Sequence, residues 1–322
     1  MKYIVTGVAG FIGSHLCDQL LKDGHVIVGI DNLSSGKMEN IQHHLSNSMF
    51  TFLKFDITDW EQLTRHAGYF RDVDGIFHLS AKARIQFSIN NPFETHNANV
   101  TGTFNILEMM KLCRIKNIIF SSTSSMYGLK NECPFVESMH PDCLNMYSLS
   151  KFVSEQYLKV WHALWGINSI SVRFFNVYGP REKTDGEFAT VIGKFYRQIL
   201  ADKKPPTIVG NGTLVRDYTY VSDIVSGNVC AMNALMADDK LSNQVFNLGS
   251  GTNHSVNGVA DLILDSLNMD RSYRAYVPPR TAEVRATLAC TDKAKSLLGW
   301  SPTIQLPEGL KIETEYYTKL YE

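Results

Sequence analysis

A tyrosine and a lysine, Tyr147 and Lys151, lie four positions apart in a segment with helical periodicity. An i, i+4 pair lies on one face of a helix. An ammonium group close to a phenol favours the phenolate and so lowers the pKa of the phenol, which a general base near neutral pH requires. Because Y-x-x-x-K also occurs by chance as a surface pair, this interpretation depends on where the helix lies in the fold.

A cluster of hydroxyl side chains, Ser121 to Ser125 with Thr123 at its centre, follows an apolar segment at residues 118–120. Hydroxyl groups at the end of a strand can hydrogen-bond a substrate oxygen that is losing its proton. The same residues are also typical of an ordinary polar exit from a strand. Taken with Tyr147 and Lys151, the cluster predicts proton-transfer chemistry.

Three glycines near the N-terminus, Gly7, Gly10 and Gly13, follow the apolar residues 3–5 and precede a helical pattern. Glycine lets the backbone approach a ligand closely, and the helix that follows directs free N–H groups and its positive dipole end at the same place. The spacing is G-x-x-G-x-x-G and not the usual G-x-G-x-x-G. A purely structural turn is the alternative, but the pattern favours a pyrophosphate site.

An acidic residue at the end of the second apolar segment, Asp31, lies 18 residues after Gly13. An acid near this offset can receive the hydroxyls of an adenosine ribose. A carboxylate also repels a 2′-phosphate, which favours NAD over NADP, although the nearby Lys37 could neutralise such a phosphate. The alternative is that Asp31 only caps a turn.

The composition is that of an ordinary globular chain: 322 residues, 44% hydrophobic and 20% charged, with a formal net charge of −1. This length suits one large or two modest domains. The charge argues against a basic nucleic-acid surface or a membrane patch, and no apolar run approaches the roughly 18 residues of a membrane span. With no signal-peptide pattern at the N-terminus, we expect a cytoplasmic protein.

The six cysteines form no C-x-x-C pair, and the ten histidines form no H-E-x-x-H motif. Scattered thiols of this kind are mostly core or surface residues. The sequence therefore predicts no metal site.

Six apolar segments have the length of strands and alternate with amphipathic helical segments, notably 99–112 and 147–165. The predicted strands are 3–5, 25–31, 50–55, 75–79, 118–120 and 169–175. This alternation predicts an α/β fold with a Rossmann-like, doubly wound parallel sheet covered on both faces. Function in such sheets gathers beyond the carboxyl ends of the strands, where the motifs above lie.

The pattern changes after about residue 180, where glycine and proline become denser and strands shorter. We expect an NAD-binding, Rossmann-like domain at 1–180 and a smaller, mainly substrate-holding part at 181–322. Segments 220–235 and 246–248 could return to the first domain.

Together and in this order, the glycine turn, the serine cluster and Tyr147-x-x-x-Lys151 resemble the extended short-chain dehydrogenase/reductase family. Within it, they are similar to the NAD-dependent sugar epimerase/dehydratase group. The resemblance covers nearly the whole chain. Further segments that are similar to this group are 31–37, 56–57, 78–81, 99–103, 173–181, 216–223 and 279–280.

The resemblance implies roles for individual residues. Tyr147 would be the base, Lys151 would hold the nicotinamide ribose and tune Tyr147, and Thr123 would bond the reacting sugar hydroxyl. The implied cofactor is NAD, and the residues implied to contact it are Gly7, Gly10, Phe11, Ile12, Gly13, Asp31, Asn32, Ser34, Ser35, Gly36, Asp56, Ile57, Leu79, Ser80, Ala81, Asn99, Ser122, Tyr147, Lys151 and Phe174.

The implied substrate is a UDP-sugar. Arg216 and Arg280 would clamp its phosphates, since guanidinium forks suit phosphate oxygens, and Ile208 would help seat the base. The candidate substrate-binding residues are Lys82, Arg84, Thr123, Ser124, Ser125, Asn176, Arg181, Thr190, Val191, Thr207, Ile208, Arg216, Arg280 and Thr287.

The reaction is indicated by the two residues that follow Thr123. Dehydratases of the group carry an Asp-Glu pair there, and decarboxylases carry a glutamate in the same stretch, whereas this chain has Ser124 and Ser125. Serine is a poor proton donor and acceptor for elimination. We therefore expect 4-epimerisation through a transient 4-keto sugar. A dehydratase or decarboxylase with acid/base groups from elsewhere, or an NAD-binding sensor without turnover, are the alternatives.

The sugar is less well defined by the sequence. Thr287 falls where, in galactose epimerases, a bulky residue can restrict the pocket, so a small residue leaves room for an N-acetyl group. Lys82, Arg84 and Arg181 could receive a carboxylate, or Lys82 and Arg84 could belong to a solvated loop. We place UDP-glucose or its N-acetyl form first and UDP-glucuronate second. The resemblance also implies a homodimer through the helices at 99–112 and 147–165, although their apolar residues could equally belong to the core of one chain.

Overall fold

A parallel sheet dominates the computed structural model, which describes residues 1–186, 189–279 and 284–322. The strands are β1 (Lys2–Thr6), β2 (Val26–Asp31), β3 (Phe50–Lys54), β4 (Gly75–His78), β5 (Asn117–Thr123), β6 (Asn168–Phe174), β7 (Val177–Tyr178), β8 (Thr207–Val209), β9 (Val215–Asp217), β10 (Thr219–Tyr220), β11 (Gln244–Leu248), β12 (Asn253–Ser255) and β13 (Ala275–Val277).

Helices cover both faces of this sheet and form most of the C-terminal part. They are α1 (Phe11–Lys22), α2 (Trp60–Arg65), α3 (Ile85–Asn90), α4 (Pro92–His96), α5 (Gly102–Cys113), α6 (Met146–Trp165), α7 (Val191–Tyr196), α8 (Val221–Ala237), α9 (Val256–Ser266), α10 (Asp292–Leu298) and α11 (Leu306–Tyr321). Within the described ranges, every helix is too short or too polar to cross a lipid bilayer.

The strand order is β3-β2-β1-β4-β5-β6-β11, and every neighbouring pair runs parallel; the described residues contribute seven strands to this sheet. This is the Rossmann order with one strand added at the β6 edge. The predicted fold class is confirmed. The order reverses between β1 and β4, which opens a crevice at the carboxyl ends of these strands.

The strands read as continuous apolar runs because the sheet is buried on both faces. On one face, Leu16 and Leu20 of α1 and Met232 of α8 pack against it, and on the other Met110 of α5 and Trp161 of α6. The two faces thus have separate apolar cores that hold the strand ends in place.

Strand β5 is longer than the sequence pattern predicts, since the predicted strand ends at residue 120. The strand continues through Thr123, because residues 117–123 all pair with β6. Ser121, Ser122 and Thr123 are consequently buried, while Ser124 and Ser125 begin the next turn. Thr123 is therefore held by strand pairing and not by a flexible loop.

The helix predicted at 99–112 also differs at its start. Residues Asn97–Thr101 form a π-helical turn, and α5 begins only at Gly102. A Cβ on Gly102 would lie 2.9 Å from a methyl carbon of Ile57, so the start of α5 packs closely on the segment after β3, and a larger residue would push that methyl group aside.

The C-terminal part has its own apolar core, built by α7, α9 and α11 around residues such as Tyr196, Ile263 and Tyr317. Its strands are short and pair in twos: β7 with β10, β8 with β13, and β9 with β12. β11 returns to the main sheet beside β6, and α8 packs on the face that also holds α1. The C-terminal part is thereby fixed over the carboxyl ends of the strands.

Candidate active site

One cavity of about 1260 Å³ runs along the carboxyl ends of the parallel strands and under the C-terminal part. Pockets for single small ligands usually hold roughly 300–1,000 Å³, so this cavity has room for more than one. The predicted site residues on its wall are Gly7, Gly10, Phe11, Ile12, Gly13, Asp31, Asn32, Ser34, Ser35, Asp56, Ile57, Leu79, Ser80, Ala81, Lys82, Arg84, Ser122, Thr123, Ser124, Ser125, Tyr147, Lys151, Phe174, Asn176, Arg216 and Thr287.

The glycine turn forms one end of the cavity. Gly7 has a φ of 73° and donates its N–H to the Ile30 carbonyl at 2.8 Å, while Gly10 donates to the Gly7 carbonyl at 3.0 Å. Gly10 is the N-cap of α1, and no side chain of the described residues caps this helix start. The first N–H groups of α1 thus point into the cavity with the positive end of the helix dipole, which suits an anion.

Replacing Gly13 by alanine should disrupt this turn. An added Cβ would lie 2.1 Å from the Gly7 carbonyl oxygen, a backbone atom that cannot move without deforming the turn. We expect a loss of about 1–3 kcal/mol in the free energy of unfolding, as for other overpacked sites, together with a large loss of dinucleotide affinity. Urea unfolding and a cofactor titration measure the two effects.

Gly68→Ala is the matched control, because an added Cβ there meets no atom within 4 Å. It should leave both quantities close to the wild-type values. A Gly13→Ala protein that bound the dinucleotide as tightly as the wild type would contradict the assignment of the turn.

Asp31 lies beside the glycine turn, where β2 ends. Its Oδ2 accepts the Ala9 N–H at 3.0 Å and its Oδ1 accepts the Leu33 N–H at 2.8 Å. Burial raises the pKa of this carboxyl, and the two N–H donors offset part of that effect. Gly36 is not on the cavity wall but packs against Asp31, since a Cβ there would lie 2.9 Å from Oδ2. The fixed carboxylate has lone pairs left for two adjacent hydroxyl groups.

The segment after β4 forms the next part of the wall. The N–H groups of Leu79 and Ser80 both donate to the Thr6 hydroxyl at 3.2 Å. Asn99 is buried behind this segment and does not line the cavity; it accepts the Lys82 N–H at 2.7 Å and donates to the Ser150 hydroxyl at 2.9 Å. Asn99 therefore positions the wall by tying it to α6.

Thr123 and Tyr147 meet at the centre of the cavity, where β5 ends and α6 begins. Loss of hydration raises the pKa of the Tyr147 phenol, while a hydrogen bond with Thr123 and the positive charge of Arg84 lower it. The groups that lower this pKa in the structure are Thr123 and Arg84, and the expected effect of Lys151 on it stays a prediction. The phenol and the Thr123 hydroxyl nonetheless lie near each other on the wall of the same cavity.

Lys151 lies one turn further along α6, buried against the sheet. Its Nζ lies 4.7 Å from the centre of the Phe120 ring. Burial lowers the pKa of the Lys151 ammonium to about 7, and the carboxylate of Glu155 opposes part of that shift. Such a lysine can switch between ammonium and amine near neutral pH.

Beneath Lys151 lies a buried ion pair that the sequence did not reveal. Arg173 donates from Nε to Oε1 of Glu155 at 3.1 Å and from Nη2 to Oε2 at 2.9 Å, and both side chains are at most 4% exposed. Ser122 donates to the same Oε1 at 2.6 Å. The pair thus joins β5, β6 and α6 directly below the reacting groups.

The sequence feature that could have indicated this pair is the continuation of the i, i+4 spacing along α6. Tyr147, Lys151 and Glu155 lie at i, i+4 and i+8, on one face of the helix. An acid at the third position of such a face needs a buried cation as partner, and Arg173 lies within the segment 173–181 that resembles the family. The pairing itself depends on the order of β5 and β6.

The other end of the cavity is formed by Asn176, Arg216 and Thr287. Asn176 donates from Nδ2 to the Asp217 carbonyl at 2.8 Å and to the Thr287 hydroxyl at 3.2 Å, and the same hydroxyl accepts the Asp217 N–H at 3.1 Å. The buried Asp217 carboxylate in turn accepts N–H groups from Ser250, at 2.7 Å, and from two further residues. This network fixes Thr287 beside the end of β9, which carries Arg216.

The three cations that were predicted to receive a carboxylate lie in different places. Lys82 contacts Glu94 at 2.7 Å and Ser34 at 3.3 Å. Arg181 pairs with Asp18 at 2.8 Å and is not on the cavity wall. Arg84 does line the cavity, near Tyr147 and Glu182. The structure therefore does not bring the three together.

Four further predicted substrate residues lie off the cavity wall. Thr190 caps α7 and donates to Glu182 at 2.6 Å, and Val191 is the first residue of that helix. Thr207 bonds the Gln198 amide, and Ile208 is fully buried in the C-terminal core. Arg280 lies outside the described residues.

Comparisons with known proteins cover almost the entire chain. The family model described as GDP-mannose 4,6-dehydratase matches residues 4–312. A putative UDP-glucose 4-epimerase of Methanocaldococcus jannaschii is 38% identical over 310 residues, which are 96% of this chain and 95% of that protein.

Two solved structures are similar in sequence and fold. The UDP-glucose 4-epimerase of Thermotoga maritima with UDP-glucose has a TM-score of 0.91 and 36% identity, and all of each chain is covered. The UDP-glucuronic acid 4-epimerase of Bacillus cereus in complex with UDP-glucuronic acid and NAD has a TM-score of 0.87 and 33% identity, again with all of each chain covered.

A match of this extent, together with a glycine turn, an acid at the end of β2 and a Thr-Tyr-Lys group in one cavity, establishes the relationship. The chain belongs to the extended short-chain dehydrogenase/reductase family, within its NAD-dependent sugar epimerase/dehydratase group.

Proposed function

We propose that this protein is an NAD-dependent 4-epimerase of a UDP-sugar that works through a transient 4-keto sugar. The observation that carries the proposal is the composition of the wall around Thr123 and Tyr147. It combines the groups needed to oxidise a sugar hydroxyl with two serines, Ser124 and Ser125, where an elimination reaction needs an acid and a base.

The chain's own groups fit NAD. The uncapped start of α1 offers N–H donors for the pyrophosphate, and the crowding around Gly7 and Gly13 leaves no room for side chains that would block it. Asp31 presents a carboxylate for the ribose hydroxyls, which favours NAD over its 2′-phosphorylated form. When bound, NAD would accept a hydride from sugar C4 and return it. The NAD in the Bacillus cereus relative supports this assignment.

In the proposed reaction, Thr123 holds the sugar 4-hydroxyl and Tyr147 removes its proton. Thr123 is close enough to the Tyr147 phenol to lower its pKa, and both residues line the same cavity, so one substrate hydroxyl could contact both oxygens. Arg84 supplies positive charge near the phenol, which stabilises the phenolate, and Lys151 would add to this effect as an ammonium ion. After the keto sugar has turned over, Tyr147 returns the proton to the oxygen on C4.

The carboxylates on the cavity wall do not suit an elimination. Among the described residues they are Asp31, Asp56, Glu94, Asp185 and Asp202. The first two bond backbone or amide groups at the ribose end of the cavity, Glu94 pairs with Lys82, and the last two pair with Arg197. This distribution supports epimerisation over dehydration.

The test is incubation of the purified protein with UDP-glucose, UDP-N-acetylglucosamine and UDP-glucuronate, followed by NMR of the products. We expect the 4-epimer of at least one substrate and no net formation of NADH. A 4-keto-6-deoxy sugar or released CO₂ would show that the reaction is dehydration or decarboxylation instead.

We further propose a UDP-hexose or its N-acetyl form as substrate. Thr287 is a small side chain on the cavity wall, and its hydroxyl is already bonded to Asn176 and Asp217, which supports a pocket with room for an N-acetyl group. A second candidate is UDP-glucuronate, which Arg84 favours, because a guanidinium near Tyr147 would lie close to the reacting end of the sugar.

The variant Arg84→Gln separates the two substrates. If UDP-glucuronate is turned over, its kcat/KM should fall roughly 10- to 100-fold, in line with the roughly 1.5–3 kcal/mol of a hydrogen bond to a charged group. Turnover of a neutral UDP-sugar should fall much less. Arg84→Lys keeps the charge and is the control. An equal loss with all three substrates would mean that Arg84 acts on Tyr147 and not on the sugar.

We also propose that the two parts of the chain bind different ligands. Residues 1–180 would bind NAD and residues 181–322 mainly the nucleotide sugar. In support, the glycine turn, Asp31 and Lys151 precede residue 180, while Arg216 and Thr287 follow it.

We propose a homodimer in solution. Large apolar side chains are exposed on α4, α5 and α6, among them Phe93, which is 91% exposed, and Leu164, which is 63% exposed. A second copy of the chain would cover them. Light scattering on the purified protein should give twice the 36.3 kDa mass of one chain; a mass of one chain would contradict this.

A further inference from the structure

Two consecutive histidines and an aspartate form a cluster on the outside of the sheet, away from the cavity. Asp18 lies on α1, and His43 and His44 lie in the short helical turn Gln42–His44 that follows β2. Asp18 is 30% exposed, His44 14% and His43 48%. The cluster is therefore accessible to solvent, although its side chains are partly buried.

Both imidazole rings point at the same atom. Nε2 of His43 lies 3.0 Å and Nε2 of His44 2.6 Å from Oδ1 of Asp18, and the ring centres are 3.9 Å apart. The three candidate ligand atoms all lie within 4.8 Å of one another. In a tetrahedral zinc site, nitrogen and oxygen ligands about 2.0–2.1 Å from the ion lie roughly 3.3 Å apart. The two nitrogen–oxygen distances of 3.0 and 2.6 Å are shorter than this spacing, so the aspartate oxygen and the imidazoles would move apart slightly to admit an ion.

The second oxygen of the carboxylate is held from outside the cluster. Arg181 lies 2.8 Å from Oδ2 of Asp18, and this fixes Oδ1 towards the two imidazoles. His44 is further positioned by the Phe50 ring, whose centre is 5.8 Å away. Contacts of this kind behind the ligands are typical of metal sites, where they orient the donor atoms. The positive charge of Arg181 also partly cancels that of Asp18, so the affinity should be moderate.

We propose that Asp18, His43 and His44 bind a divalent transition-metal ion of the zinc type, with its remaining position open to water. Two imidazole nitrogens and one carboxylate oxygen suit Zn²⁺ and similar ions better than Mg²⁺ or Ca²⁺, which prefer oxygen alone. The spacing in the sequence predicted no metal, because the aspartate is 25 residues from the first histidine.

Binding there would act on the loop between β2 and the histidines. This loop carries Asn32, Ser34 and Ser35, which line the cavity. An ion bound to His43, His44 and Asp18 would hold the end of the loop on α1, and Arg181 would extend that link to the C-terminal part. The site would therefore stabilise the fold without taking part in the proposed reaction.

The experiment is a titration of the metal-free, tag-free full chain with Zn²⁺, followed by calorimetry and thermal unfolding. We expect one ion per chain and a melting temperature higher by at least about 2 °C at saturation. Co²⁺ should bind at the same place and give the visible absorption of a four- or five-coordinate ion. Mg²⁺ should raise the melting temperature much less.

Substitutions of the cluster residues test whether the ion binds at this place. The double variant His43→Gln, His44→Gln should lose at least about tenfold in Zn²⁺ affinity, and Asp18→Asn should also weaken binding while keeping an oxygen that can accept from imidazole. His140→Gln, at an exposed histidine elsewhere, is the control and should bind as the wild type does. No saturable Zn²⁺ binding, or equal binding by the double variant, would overturn the proposal and leave the cluster as hydrogen bonds only.

Discussion

Tyr147→Phe should abolish turnover while the protein stays folded and keeps its dinucleotide. The phenol oxygen is the group in the cavity that can take a proton from a sugar hydroxyl held by Thr123, and removal of a general base typically costs about 10²–10⁴-fold in rate. Phenylalanine fills the same space, so the packing of α6 should not change. Initial rates, thermal unfolding and a cofactor titration measure the three properties.

The pH dependence of the rate distinguishes a catalytic role of Tyr147 from a purely structural one. Because loss of hydration raises the pKa of the Tyr147 phenol, the wild-type rate should climb as the pH rises above neutrality. Any residual rate of Tyr147→Phe should lack this climb. Tyr157→Phe, on the same helix but among the aromatic contacts of Phe104 and Trp161, is the control and should keep full activity. Near-normal activity in Tyr147→Phe would mean that the base is another residue.

Glu155→Ala should have the largest effect on stability. It would leave Arg173 as an unpaired charge that is 4% exposed, between β6 and α6. Breaking a buried pair in this way typically costs about 3–5 kcal/mol in the free energy of unfolding. Chemical denaturation measures it. Glu155→Gln, which keeps acceptors for Ser122 and Arg173, should be the milder change.

The matched control for this prediction is Glu61→Ala. Glu61 pairs with Arg65 at 2.6 Å on the surface, where the two side chains are 79% and 62% exposed. An exposed pair of this kind is worth at most about 1 kcal/mol. If Glu155→Ala cost no more than Glu61→Ala, the buried pair would not be what holds β5, β6 and α6 together below the site. Activity at several pH values should also change, because Glu155 opposes the low pKa of Lys151.

The sequence was sufficient for six of the seven described strands of the sheet and for many of the residues along the cavity. Strands buried on both faces read as apolar runs, and the carboxyl ends of parallel strands meet at one edge, so the apolar pattern alone places Gly7, Asp31 and Thr123 together. The end of β5 was harder to predict. The residue types of Ser121 to Thr123 are typical of a loop, and these residues form a strand because they pair with β6.

Side-chain partners were beyond the reach of the sequence wherever they come from distant segments. Glu155 and Arg173 are 18 residues apart, and their pairing follows from the packing of α6 on β6. Arg181 and Lys82 have the right charge for a substrate carboxylate, but Asp18 and Glu94 contact them. For the same reason the effect of Arg84 on Tyr147 could not be foreseen, since it depends on how the segment after β4 folds over α6.

The central claim is that the hydride removed from the sugar returns to the same carbon. The most direct measurement uses UDP-glucose, or whichever UDP-sugar proves to be turned over, deuterated at C4 and followed by NMR and mass spectrometry. We predict a 4-epimer that keeps its deuterium at C4, with no exchange against solvent and no accumulated NADH. A product that has lost the deuterium from C4, or a 4-keto-6-deoxy sugar that carries it at C6, would contradict the claim.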